Sequence, residues 1–126
     1  MSVDTMARLF ELKNIAGVKD ATGDPNRIDA TLKKLGPDFI QLTGEDGFAL
    51  EFNRRGGVGI ISVTANIAPK LCSDFQKYSK SKTDNEIKEA ERIDQILQPI
   101  HKSLFIESNP APVKYAAKLL GLCGDE

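Results

Sequence analysis

Three short apolar segments, each bounded by glycine or proline and separated by enough chain for a helix, constrain this sequence more than any other feature. They are Ile15-Ala-Gly-Val-Lys-Asp-Ala21, Phe39-Ile-Gln-Leu-Thr43 and Val58-Gly-Ile-Ile-Ser-Val-Thr64. Their β-rich composition and short length fit buried strands. Helical patterns lie around them. Ser2 is placed to cap a first helix with apolar positions at Met6, Leu9, Phe10 and Leu12. Asp24-Pro25 reads as an N-cap with proline at the first helical position, and Ile28, Leu32 and Leu35 follow at helical spacing before Gly36-Pro37. Residues 47–55 form a further short helical pattern. Strands alternating with helices predict an α/β fold with a parallel sheet built from right-handed βαβ units.

Beyond the third segment the pattern is wholly helical. A helix is expected from the stretch Asn66 to Pro69, bearing Leu71, Cys72 and Phe75. Another starts at Thr83 or Asp84, with Ile87, Ala90, Ile93 and Leu97 on one face and Pro99 expected to kink its end. Ser108-Asn-Pro-Ala-Pro112 opens a last helix that Gly121 is placed to stop.

Composition excludes several classes of function. The chain has 126 residues and a formal net charge of −1, so there is no basic excess to hold a phosphate backbone, and nucleic acid is not an expected partner. No apolar run approaches the roughly 20 residues needed to cross a bilayer, and no membrane association is expected. The stretch Met-Ser-Val-Asp-Thr-Met has no basic run followed by an apolar one and is not read as a signal peptide. Cys72 and Cys123 lack metal-ligand spacing, and His101 is the sole histidine, so neither a metal nor another cofactor is expected. Reduced thiols in a cytoplasmic protein are the expectation.

In parallel α/β folds ligands gather at the C-terminal ends of the strands. Three candidates sit there. Lys19 shares a strand face with Ile15, Gly17 and Ala21, two of which are small. On an inward face it would be expensive to keep charged, and desolvation favours the free amine that attacks a ketone to form an imine. Spacing alone favours a plainer reading, a strand-end lysine whose stem reaches to water. Thr43-Gly44-Glu45-Asp46 is a turn in which Gly44 would let backbone amides approach a carboxylate, or else an ordinary strand-to-helix turn. Gly59-Ile-Ile-Ser62 either offers the backbone of Ile61 to a ligand or is a core strand. Ser62 and His101 lack a nucleophile elbow, and the Gly56-Gly57-Val58-Gly59 run precedes a strand, which is the wrong place for a dinucleotide fingerprint.

Four blocks carry a resemblance that spacing does not supply. Ile15-Ala16-Gly17-Val18-Lys19-Asp20-Ala21-Thr22-Gly23-Asp24 resembles the Schiff-base lysine segment of the dihydrodipicolinate synthase and N-acetylneuraminate lyase family. Leu42-Thr43-Gly44-Glu45-Asp46, residues 56–66 and residues 104–114 match the same family in order, and Ser-Val-Thr-Ala-Asn and Asn-Pro-Ala-Pro-Val-Lys look like its synthase branch. The resemblance implies an eight-stranded (β/α) barrel of the TIM type, usually a homotetramer. It implies that Lys19 forms an imine with pyruvate, whose enamine adds to aspartate semialdehyde on the way to diaminopimelate and lysine. It also implies that Ile61 and Gly44 border the pyruvate site.

The family's Tyr-Asn-x-Pro strand and its earlier Thr-Thr turn are not in this chain. The resemblance therefore implies the C-terminal half of a barrel: residues 1–66 as strands six to eight with their helices, and residues 67–126 as the last barrel helix and a C-terminal helical region. Three strands cannot close a barrel, so a missing N-terminal half is an expected partner and the lone chain is expected to be inactive. Two alternatives stay open, another pyruvate-dependent class I aldolase and a non-catalytic half-barrel that serves in assembly.

Overall fold

The computed structural model describes residues 1–124. They form two compact units, residues 1–61 and residues 62–124. The first holds α1 (Val3–Phe10), β1 (Gly17–Asp20), α2 (Pro25–Leu35), β2 (Ile40–Thr43), a 3-10 turn over Asp46–Phe48, α3 (Ala49–Arg54) and β3 (Gly59–Ile60). The strands make one parallel sheet in the order β1-β2-β3.

Local chemistry sets the helix bounds. The Ser2 hydroxyl accepts the Thr5 amide at 3.1 Å, and the Asp24 carboxylate accepts the Asn26 amide at 2.9 Å with Pro25 opening α2. Gly36, at φ 81°, ends α2 in a conformation that a side chain would strain. Strand side chains alternate, and one face of the sheet is covered. Phe39, Gln41 and Thr43 are buried. Phe39 meets Phe10 edge to face at a ring distance of 4.9 Å, and the Gln41 amide donates to the Ile28 carbonyl. Met6, Ile28, Ala49 and Phe52 complete that core. Gly57 lies so close over Phe52 that an added Cβ would stand 2.0 Å from its ring.

The other face is open. Ile40 and Ile61 are 43% and 49% exposed, and Lys19 on β1 is exposed as well. A three-stranded parallel α/β layer with one bare, partly apolar face is consistent with part of a closed barrel. The third strand is shorter than its composition suggested. Val63 turns helical and Thr64–Asn66 forms a 3-10 turn, because the Ser62 hydroxyl accepts the Ala65 amide and draws the chain out of the ladder.

The second unit begins with that 3-10 turn and continues through α4 (Pro69–Tyr78), α5 (Asp84–Ser103) and α6 (Ala111–Leu119). Cys72, Phe75, Ala90, Ile93, Leu97, Leu104 and Val113 are its buried apolar residues. Pro99 does not end α5, which runs on for one turn to Ser103. The proline costs one backbone hydrogen bond, but buried Leu97 and His101 on either side hold the turn by packing. The His101 ring nitrogen Nδ1 lies 2.7 Å from the Thr64 hydroxyl, a buried link between α5 and the 3-10 turn.

Candidate active site

The register gathers the sequence candidates. Lys19 pairs with Leu42, and Leu42 pairs with Gly59. Paired residues of a parallel sheet project to the same side, as do residues two apart along a strand. Lys19, Gly44 (two past Leu42) and Ile61 (two past Gly59) therefore share the open face at the C-terminal ends of three adjacent strands. Backbone bonds extend the ladder through both flanking residues, from the Gly44 amide to the Asp20 carbonyl at 2.7 Å and from the Ile61 amide to the Thr43 carbonyl at 2.9 Å.

Those bonds revise the chemistry expected of the turn. The Gly44 amide is spent on Asp20, and the Glu45 amide donates to the Thr43 hydroxyl at 3.0 Å. Neither is turned toward a ligand carboxylate. Gly44 contributes space instead: its neighbours across the gap are the stem of Lys19 and the methyl of Ala21. The Ile61 amide is likewise committed, which leaves its carbonyl as the backbone group able to meet a ligand. Gly17 is small for a reason unconnected with the amine, since a Cβ there would lie 2.0 Å from the Ile40 carbonyl oxygen.

Spacing favours a strand-end lysine that reaches to water over one on a buried inward face. In this chain that face is bare, and the lysine is exposed. Among the described residues its amine has no hydrogen-bond or ion-pair partner, so it presents as an uncommitted primary amine.

The sequence reading missed the cluster that anchors the turn behind Lys19. One Asp20 carboxylate oxygen accepts both the amide of Thr22 at 2.8 Å and its hydroxyl at 2.6 Å. The other accepts Arg27 Nε at 2.8 Å, and the same guanidinium reaches the Met1 carbonyl at 3.0 Å. Burial acts to raise the Asp20 pKa, but the Thr22 and Arg27 bonds and the Arg27 charge outweigh it, so the carboxyl sits below its ordinary value. Asp followed two residues later by Thr is the pattern of an Asx turn and was legible; the tie to Arg27 on α2 was not. Among the described residues no group of three His, Cys, Asp or Glu side chains could hold a metal. No helix there is long and apolar enough to cross a membrane.

A free lysine on the bare face of a parallel sheet, at the strand ends where α/β enzymes place their chemistry, defines a lysine-centred α/β site. The family model described as "Dihydrodipicolinate synthetase family" matches residues 1–126. The chain belongs to that family. It is 74% identical over its whole length to a 4-hydroxy-tetrahydrodipicolinate synthase of Pelagibacter ubique, covering 43% of that protein. It is 53% identical to a synthase of the same name from Parvibaculum lavamentivorans, covering 42%. A crystal structure of dihydrodipicolinate synthase from Aquifex aeolicus superposes with a TM-score of 0.91 at 36% identity, over 99% of this chain and 42% of the other. A chloride-inhibited dihydrodipicolinate synthase from Acinetobacter baumannii, solved with pyruvate, gives a TM-score of 0.89 at 41% identity, over 98% of this chain and 41% of that one. The chain thus spans about two-fifths of the length of the relatives it matches.

Proposed function

We propose that this chain is the C-terminal part of a (β/α)8-barrel 4-hydroxy-tetrahydrodipicolinate synthase and that Lys19 is its Schiff-base nucleophile. In that reading residues 1–66 close one side of the barrel and residues 67–126 supply its last helix and the C-terminal helical region. The observation that carries the proposal is the convergence of Lys19, Gly44 and Ile61 on one bare sheet face at the C-terminal strand ends. The names of the relatives support the synthase over the lyase branch.

The chemistry follows from an uncommitted amine. Lys19 Nζ attacks the carbonyl carbon of pyruvate, water leaves, and an imine forms. Loss of a methyl proton gives an enamine, whose carbon bonds to the aldehyde carbon of aspartate semialdehyde; the aldehyde C=O opens, its oxygen takes up a proton to become the hydroxyl, and the imine is restored. The amino group of the semialdehyde then displaces the lysine from the imine carbon, closing the ring to hydroxytetrahydrodipicolinate and freeing Lys19. The Ile61 carbonyl and the space above Gly44 border the pyruvate. The product feeds diaminopimelate and lysine synthesis in the cytoplasm.

The open face also bears on the partner. Ile40, Ile61 and Lys19 need covering strands to exclude water from the imine, and the N-terminal half of the barrel, assembled as a homotetramer, is the proposed cover. The lone chain would then be nearly inactive, because it lacks the family's tyrosine, worth about 10² to 10⁴ in rate as a general acid or base, and the Thr-Thr turn that orients pyruvate. The test is substrate choice in the completed enzyme. Condensation of pyruvate with aspartate semialdehyde is expected, and cleavage of N-acetylneuraminate in its place would move the chain to the lyase branch.

A further inference from the structure

Glycine is required where φ is positive, as at Gly23 behind the lysine strand, at φ 65°. Gly44 is not such a position, since the positive-φ glycines are Gly23, Gly36, Gly56 and Gly121. Its backbone conformation does not by itself call for glycine. What a side chain there would meet is Lys19. A Cβ built on Gly44 lies 2.5 Å from Lys19 Cε, 3.5 Å from Lys19 Cγ and 3.1 Å from the Ala21 Cβ. The glycine cannot retreat, because its amide is tied to the Asp20 carbonyl of the neighbouring strand at 2.7 Å.

We infer that Gly44 is a positioning residue for Lys19: the missing side chain is the channel through which the lysine stem crosses the end of β2 and carries its amine to the middle of the sheet. The space is taken up by the stem. Of the three atoms nearest to a Cβ added at Gly44, two belong to Lys19 and the third is the Ala21 Cβ. The catalytic consequence rests on the proposed role of Lys19 as nucleophile, whereas the contact between stem and glycine does not.

The magnitude follows from the distances. In Gly44→Ala, Cε must withdraw by about 0.9 Å to move from 2.5 Å to the 3.4 Å at which ordinary contact begins. The stem is flexible, so folding tolerates the change. The amine moves with the stem, and a misplacement of about 1 Å at a reacting atom costs up to about 10²-fold in rate.

The experiment has two arms. In the 126-residue chain, lysines are reductively methylated with carbon-13, and the Lys19 resonance is assigned by its loss in Lys19→Arg. Gly44→Ala should shift that resonance and leave those of the other lysines in place. In the completed enzyme, the rate of borohydride trapping of pyruvate at Lys19 should fall by about 10- to 100-fold in Gly44→Ala, and adding Ala21→Gly should not restore it. An unchanged Lys19 resonance, or full restoration by Ala21→Gly, would overturn the inference. A shifted resonance in a protein whose parent traps no pyruvate would sustain the channel and remove the proposed function instead.

Discussion

Replacing Asp20 by alanine should cost about 2 kcal/mol at neutral pH, summed from three hydrogen bonds to one carboxylate. The two Thr22 bonds lie in an exposed turn where water can substitute, so each contributes about 0.5 kcal/mol. The Arg27 bond is better protected, with side-chain exposures of 13% for Asp20 and 26% for Arg27, and contributes about 1 kcal/mol. The pH dependence has a definite sign. The folded-state pKa of Asp20 is depressed below 3.8, so its stabilisation is fully present above that value and is lost as the pH falls through the folded pKa. Urea unfolding followed by circular dichroism, at a series of pH values from 7 to 2, measures the gap between parent and Asp20→Ala. The gap should be constant down to about pH 5 and close toward zero at the acid end. A gap that stays constant to the lowest pH, or no gap at neutral pH, would refute the assignment of the carboxylate as the anchor of this turn.

Other predictions rest on other contacts. Thr64→Val removes the 2.7 Å hydrogen bond between the Thr64 hydroxyl and His101 Nδ1 and should destabilise the chain by about 0.5–1.5 kcal/mol in denaturant titration. Gly57→Ala places a methyl 2.0 Å from the Phe52 ring and should cost about 1–3 kcal/mol or block soluble expression, whereas Gly124→Ala, which meets nothing within 4 Å, should be silent in the same assay. Phe52→Ala, which empties the centre of the first unit, should cost about 3–5 kcal/mol. The purified 126-residue chain should condense pyruvate with aspartate semialdehyde at least about 10²-fold more slowly than the chain completed by an N-terminal half; a normal rate from the chain alone would mean that a residue within it does the work assigned to the absent tyrosine.

How much of this was legible in the sequence varied with the kind of signal. Capping chemistry is local, and Ser2, Asp24 and Gly36 mark helix ends where the pattern put them. The three strands and their parallel pairing follow from short apolar segments separated by helices. The end of the third did not, because Val63 and Thr64 have strand composition while the Ser62 hydroxyl bends the backbone. Alternation correctly grouped Lys19 with Gly17 and Ala21, but a period of two does not say which face helices will cover. The amine lies on the bare one. Contacts between residues remote in sequence left no trace in periodicity: Asp20 with Arg27, Thr64 with His101, and the Gly44 gap filled by the Lys19 stem.

The imine itself is the most direct test of the central claim. The completed enzyme is incubated with pyruvate, reduced with borohydride and digested, and the peptides are weighed. The account predicts a reduced pyruvate adduct on the peptide containing Lys19 and none after Lys19→Arg, since a guanidinium stays charged and is a poor nucleophile. An adduct on another lysine, with Lys19 unmodified, would contradict it.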